Sequence, residues 1–183
     1  AVKTVKTRCN RKTLKTRRTQ KEINADEKSI FQTLINAQRE SAAAAAAEGR
    51  EGVPDCAGVV RVYAVLEAGP FTHLIMERLE GSNLEEYVAK YRQGGMTQGE
   101  VRLVIRDVLR GLAFLHHLGV LHRDVKPANV FVEHDAHGTV RGAKVLDVGS
   151  GRLFPADSRG AVECGVALTR SVDGSPIYMC PSV

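Results

Sequence analysis

Residues 1 to 7, "AVKTVKT", alternate apolar with polar side chains, the period of a short strand. A basic, threonine-rich stretch breaks that pattern. A helical one then appears around Asp26 to Arg39, where Ile30, Phe31, Leu34 and Ile35 fall at helical spacing. The following "SAAAAAAEGREG" is of low complexity. Its alanines favour helix, but Gly49, Gly52 and Pro54 end it and no bulky apolar residue anchors it, so residues 41–52 are predicted to be a surface insertion. "GVVRVYAVLEAG" and "THLIMERLE" are β-branched runs on either side of Gly69 and Pro70, the pattern of two antiparallel strands joined by a turn.

Residues 84–93 predict a short helix ended by Gly94 and Gly95. In the next segment Thr97 and Glu100 have the spacing of a capping box. Val101, Val104, Ile105, Val108, Leu112 and Leu115 then form an apolar stripe that runs until Gly119. "NVFVEHDAHGTVRGAKVLD" predicts a second hairpin with Gly138 in its turn and Asp147 at the end of its second strand. Between helix and hairpin, "VLHRDVKPANVFV" places His122, Arg123, Asp124, Lys126 and Asn129 within eight residues, flanked by apolar runs. Val120, Val130 and Val132 would pin this loop to the core while its polar groups face one cleft, to which the hairpin returns Asp147.

Composition narrows the picture without deciding it. The 183 residues, 43% hydrophobic, are enough for one sizeable core, either as one domain or as two small lobes. The net charge of +5 comes mostly from the first 21 residues, a basic run with no interleaved aromatic residues. Such a run reads as a solvated face, so a nucleic-acid partner is not expected. Cys9, Cys56, Cys164 and Cys180 form no CxxC pair, which points away from a zinc site and towards reduced thiols. No apolar run reaches membrane-spanning length, so a soluble protein with no membrane partner, in the cytoplasm or the nucleus, is expected. The chain opens at Ala1 without Met and stops just after a motif, so both ends are expected to belong to a longer protein.

The order strand, helix, strands, helix, then His122-Arg123-Asp124, Lys126, Asn129 and Asp147-Val148-Gly149 resembles the catalytic core of the eukaryotic-type protein kinases. The resemblance implies a two-lobed α+β fold, incomplete at both ends. Residues 1–79 would be a partial N-lobe and hinge, and residues 80–183 a partial C-lobe through the activation segment. The family's glycine-rich loop and C-terminal helices are expected outside these residues, and the isolated 183-residue piece is expected to be unstable without them.

Transfer of a γ-phosphoryl group needs a carboxylate to orient the acceptor hydroxyl, a cation beside the moving phosphate, and oxygen ligands for magnesium. The resemblance assigns the first two roles to Asp124 and Lys126, and Mg2+ binding to Asn129 and Asp147. It matches Lys3 in "AVK" to the lysine that contacts the ATP phosphates. Its partner would be Glu27, in "EKSIFQTL", which is similar to the family's "ExxxLxxL" helix; Glu22 is the competing candidate. In "LIMERLEG", similar to the family's hinge, Met76 takes the gatekeeper position, and the backbone of Glu77 and Leu79 would face the adenine.

His122 is expected to be a packed structural residue. Arg123 resembles the arginine of kinases switched by a phosphate on the activation segment, with Thr169 or Ser171 favoured over Ser158 as the modified residue by an upstream activating kinase. Asp173 is a candidate for a fixed negative charge there. Ser175 is expected to order the substrate-binding loop. "KPAN" and "GSPIYMCPS" resemble the serine/threonine class, implying protein substrates with Ser or Thr acceptors.

Two departures from the pattern stand out: Val148 replaces the usual Phe of the magnesium motif, and Ser182 replaces the Glu of "APE". They keep open a pseudokinase, a binding or scaffolding module without turnover. A small-molecule phosphotransferase is disfavoured by Arg123 and "GSPIYM".

Overall fold

The computed structural model describes residues 2–6, 20–47, 58–68, 71–154 and 175–178. The alternating N-terminal segment is strand β1 (Val2–Lys6), and the two β-branched runs are β2 (Val62–Ala68) and β3 (Phe71–Met76). They form one antiparallel sheet in the order β1-β3-β2, with Lys3 opposite Leu74. Helix α1 (Gln20–Ala47) lies against β2 and buries Ile30, Phe31, Leu34 and Ile35, the face read from the sequence.

The helix is longer than the apolar pattern implies. The alanine run, expected to be an insertion, continues α1 as far as Ala47, because alanine needs no tertiary anchor to hold helical geometry when a packed helix precedes it. Gln38 is buried on the same helix. Its Nε2 donates to Val60 O at 3.2 Å and its Oε1 accepts from Val62 N at 2.9 Å, so one side chain substitutes for a neighbouring strand where β2 begins.

The second half follows the predicted order. Strand β4 (Gly81–Asn83) leads into α2 (Leu84–Tyr91), and α3 (Gln98–His117) starts on the expected capping box of Thr97 and Glu100. A two-residue strand β5 (Val120–Leu121) pairs with β8 (Arg152–Leu153). The hairpin of β6 (Val130–His134) and β7 (Val140–Val145) joins β4 in the order β4-β6-β7, with Gly138 at φ 79° in its turn.

The α3 stripe needs correction. Val104, Val108, Gly111 and Leu115 are buried, whereas Val101 and Ile105 are 44% and 51% exposed. The buried face is narrower than the apolar one and is centred on Gly111, where the backbone of another segment comes into contact.

That segment is Gly58–Val60. Val59 forms a parallel bridge with Val145, Val60 N donates to Val145 O at 3.1 Å, and Val145 N donates to Gly58 O at 2.8 Å. A Cβ on Gly58 would lie 2.3 Å from Asp107 O, and one on Gly111 would lie 2.2 Å from Gly58 O, so only glycine fits at either position. Here two buried clusters meet. One gathers α1, β2 and β3 around Leu115, Val120 and Val148; the other packs Tyr87, Val104 and Val108 against the β6-β7 hairpin. No helix among the described residues is long and apolar enough to cross a membrane.

Candidate active site

Strands β5 and β6 bracket the polar loop, and Val120, Val130 and Val132 are buried, as their anchoring role requires. His122 is buried beneath the loop. Its Nε2 donates to Leu146 O at 2.7 Å, while Nδ1 accepts from Asp124 N at 3.2 Å. Burial lowers the imidazole pKa, which keeps the ring neutral and suits this one-donor, one-acceptor arrangement. It is a structural histidine.

Arg123 (φ 66°) and Asp147 (φ 50°) are the described non-glycine residues with left-handed backbones. Such conformations persist only where the surrounding structure enforces them, and they cluster at functional sites. Arg123 directly precedes Asp124, and Asp147 is the other carboxylate singled out from the sequence.

Asp124 is clasped from three directions. Lys126 Nζ lies 2.7 Å from Oδ2, Ser175 Oγ donates to Oδ1 at 2.8 Å, and Asn129 Nδ2 donates to Oδ2 at 3.0 Å and to the Asp124 carbonyl at 2.8 Å. Lys126 also donates to Ser175 Oγ at 2.7 Å. Burial pushes the Asp124 carboxyl up, but the hydrogen bonds from Lys126 and Ser175 and the lysine's charge outweigh it and hold the group below its ordinary value. The result is an ionised carboxylate ringed by donors.

Asp147 follows the hairpin and caps the 3₁₀ turn Val148–Ser150, its side chain accepting from Gly149 N at 3.3 Å. Glu27 reaches the same turn from α1: a Cβ placed on Gly149 would lie 2.8 Å from Glu27 Oε1 and 3.0 Å from Asp147 Oδ1. Of the two glutamates weighed as the partner of Lys3, Glu27 is therefore at the turn. The side chains of Lys3 and Glu22 lie outside the described residues.

A cavity of about 260 Å³ opens between the three-stranded sheet and the loop. Its wall includes Met76, Asn129 and Asp147 together with Phe31, Leu74 and Val148, whereas Glu77 and Leu79 are not part of it. Glu77 N, one of the backbone groups expected to face an adenine, donates to Arg61 O at 3.0 Å. The Glu77 carboxylate, which sequence reasoning left without a role, accepts from Lys144 Nζ and from Arg61 N, each at 2.7 Å.

Among the described residues no group of three or more His, Cys, Asp and Glu side chains could hold a metal ion. Ser158, Thr169, Ser171, Asp173 and Ser182 lie outside the described residues, as do the four cysteines.

A family model for the protein kinase domain matches residues 1–183. The serine/threonine-protein kinase pkn2 of Myxococcus xanthus is 36% identical over 124 residues, covering 67% of this chain and 14% of that protein. The serine/threonine-protein kinase PknB of Mycobacterium tuberculosis is 35% identical over 127 residues, 67% of this chain and 18% of its own length. A probable serine/threonine-protein kinase of Dictyostelium discoideum is 29% identical over 129 residues, 70% of this chain and 14% of its own length. The matched part of the chain thus corresponds to less than a fifth of each of these relatives.

Proposed function

Because this chain belongs to the protein kinase family, we propose that it transfers the γ-phosphoryl group of ATP to serine or threonine hydroxyls of protein substrates. The observation that carries this reading is the Asp124 carboxylate, held ionised between Lys126, Ser175 and Asn129 at 2.7–3.0 Å. A carboxylate so held accepts a hydrogen bond from the incoming hydroxyl and takes its proton as the new O–P bond forms and the bond to the β-phosphate oxygen breaks. Lys126 places a positive charge beside the transferring group. Such catalysis is mainly positioning and electrostatic stabilisation, for which fixed donors around one carboxylate are the needed equipment.

The residues present fit a magnesium ion. Asn129 and Asp147 wall the same cavity, and the two hydrogen bonds from Asn129 Nδ2 to Asp124 leave the amide oxygen as its donor atom for a cation. Magnesium characteristically takes few protein oxygens and completes its shell with phosphate and water, so a site without a cluster of three acidic groups is no obstacle. When bound, the ion would neutralise charge on the phosphates. Lys3 and Glu27 would hold the nucleotide from the N-terminal side, and Met76 with the backbone of Glu77 and Leu79 would line the adenine site.

An upstream kinase acting at Thr169 or Ser171 would supply the phosphate that Arg123 receives. The pseudokinase reading rests on Val148 and Ser182 alone, and against it stand Asp124, Lys126, Asn129 and Asp147, all present. The deciding experiment is transfer of γ-phosphate from Mg-ATP to dephosphorylated casein by the full-length protein, beside its Asp124→Asn variant. Transfer lost in the variant supports the reading; equal transfer by both, or none by the wild type while ATP still binds, overturns it.

A further inference from the structure

A second recess, of about 700 Å³, is walled by the segment after β3, the start of β4, the end of α2 and the β6-β7 hairpin. Asp124, Asn129 and Asp147 take no part in it. On β6, Val130 and Val132 point into the core, so Glu133 points to the opposite face of the sheet. Both of its cross-strand neighbours are glycine, Gly81 on β4 and Gly142 on β7, so no side chain flanks it from either strand. A Cβ built on Gly142 would lie 3.3 Å from Glu133 Oε2, which puts the carboxylate over that glycine. Lys144, the cation two residues along β7, is held by Glu77. The Glu133 side chain is thus partly buried, and it makes no hydrogen bond or ion pair among the described residues.

The other charges of the recess do not answer it. Asp135 is committed to the hairpin turn, its Oδ1 accepting from His137 N at 2.9 Å and from Thr139 N at 3.0 Å, and its Oδ2 lies 3.6 Å from the exposed Arg141. Arg78 and Glu80 are exposed, and their side chains make no ion pair among the described residues. Tyr91, edge-on to His134 with ring centroids 5.0 Å apart, gives the recess a packed aromatic wall.

We propose that this recess docks a peptide segment of a partner protein, which brings an arginine or lysine to Glu133 and a carboxylate to Arg78 or Arg141. A partly buried carboxylate gives up hydration and gains nothing in return until a cation reaches it. The volume lies within the range of about 300–1,000 Å³ typical of ligand sites, room for several side chains of an extended segment. A purely basic segment would meet Arg78 and Arg141, and a purely acidic one would meet Glu80 and Glu133, so like-charge repulsion selects a segment of mixed charge over either. Because the recess shares none of the groups assigned to phosphoryl transfer, the proposal stands apart from the kinase reading.

The test uses the full-length protein and an array of alanine-based octapeptides that places one arginine and one glutamate in every order and spacing, beside octapeptides with either charge alone or neither. Mixed-charge peptides of a narrow set of spacings should bind. The tightest of them, measured in solution by fluorescence anisotropy, should lose about tenfold in affinity to Glu133→Gln. Glu133→Arg should reverse the preference, in favour of the peptide with glutamate in place of the arginine. Removing Arg78 and Arg141 together, as Arg78→Gln with Arg141→Gln, should weaken the mixed-charge peptide by about threefold and leave the arginine-only peptide no weaker. Arginine-only peptides that bind as tightly as mixed ones overturn the proposal, as does binding unmoved by Glu133→Gln or no peptide above the uncharged control. If thermal unfolding shows that the Glu133 variants do not fold, the two exposed arginines decide, and equal losses for both peptides overturn it.

Discussion

The carboxylate of Glu77 accepts a hydrogen bond from Lys144 Nζ at 2.7 Å, tying the residue after β3 to strand β7. The same oxygen accepts from Arg61 N at 2.7 Å, so it joins three segments: the approach to β2, the stretch expected to face adenine, and the strand that runs on to Asp147. The two side chains are only 17% and 20% exposed, which spares the pair much of the solvent screening that makes surface ion pairs negligible. A double-mutant cycle of Glu77→Gln and Lys144→Met, read by denaturant unfolding, should give a coupling of about 1 kcal/mol. Strict additivity would show that the two groups are neighbours without being partners.

Ser175 connects the segment before "PIYM" to Asp124, and its hydroxyl both donates to Oδ1 and accepts from Lys126. Ser175→Ala removes two hydrogen bonds with charged groups, one to the Asp124 carboxylate and one from the Lys126 ammonium. The expected fall in kcat is about tenfold, while Ser175→Thr keeps the hydroxyl and most of the rate. The sign of the pH effect is fixed by the same contact. Ser175 helps hold the Asp124 pKa down, so its loss raises that pKa, and the low-pH limb of kcat/KM should move to higher pH in the alanine variant only. An unmoved limb would mean that Ser175 only orders its own loop.

Gly58 and Gly111 join the two buried clusters backbone to backbone, with no room for a methyl group on either. The atoms a Cβ would meet are main-chain atoms, which cannot rotate away. Gly111→Ala should therefore lose about 3 kcal/mol or more of stability. Gly99→Ala in the same helix, with nothing within 4 Å of its Cβ, is the control and should be neutral or slightly stabilising. Equal unfolding midpoints for the two variants would refute the close approach.

The same contrast explains what the sequence could and could not disclose. The loop from His122 to Asn129 was legible because its chemistry is contiguous and its apolar anchors sit beside it in the chain. The α1 face, the capping box and the β6-β7 turn were legible because each obeys a local period or a local spacing. Glu77 and Lys144, 67 positions apart, carry no mutual signal, and neither does Gln38, a polar residue whose burial depends on the start of β2. Val101 and Ile105 misled because helical periodicity shows that a face is apolar, not how much of it another element covers.

Gln38 itself yields a stability test. Its amide pairs with Val60 O and Val62 N in a buried setting, so Gln38→Leu leaves both main-chain groups without this partner while filling similar space. The expected cost is about 2 to 3 kcal/mol, visible as a lower unfolding midpoint. Gln38→Glu keeps the acceptor for Val62 N but turns the other oxygen against a carbonyl, and should also be destabilising. A leucine variant as stable as wild type would show that water replaces the amide.

Glu100 links three elements, closing the capping box of α3 at Thr97 while accepting from Arg92 and from the Tyr87 hydroxyl. Arg92 donates as well to Gly138 O in the β6-β7 turn, and that carbonyl also lies 2.8 Å from the Tyr87 hydroxyl, whose single proton Glu100 and Gly138 share. The hydrogen bond from Arg92 is the largest cause that lowers the Glu100 carboxyl, from 4.5 to about 2, with burial opposing and the Thr97 and Tyr87 hydrogen bonds adding to the fall. A carboxyl depressed on folding contributes stability that is complete above its unfolded pKa and is lost as pH falls through the folded one. The wild-type unfolding midpoint should therefore drop between pH 4.5 and about 2 by more than that of Glu100→Gln, which has no charge to lose. At neutral pH the variant should be the less stable of the two, and the gap should narrow as the solution is acidified through that window. Other carboxylates titrate there in both proteins and cancel in the comparison. A gap that stays constant from pH 7 to pH 2 would assign the effect of the substitution to shape or lost capping rather than to the charge that Arg92 holds.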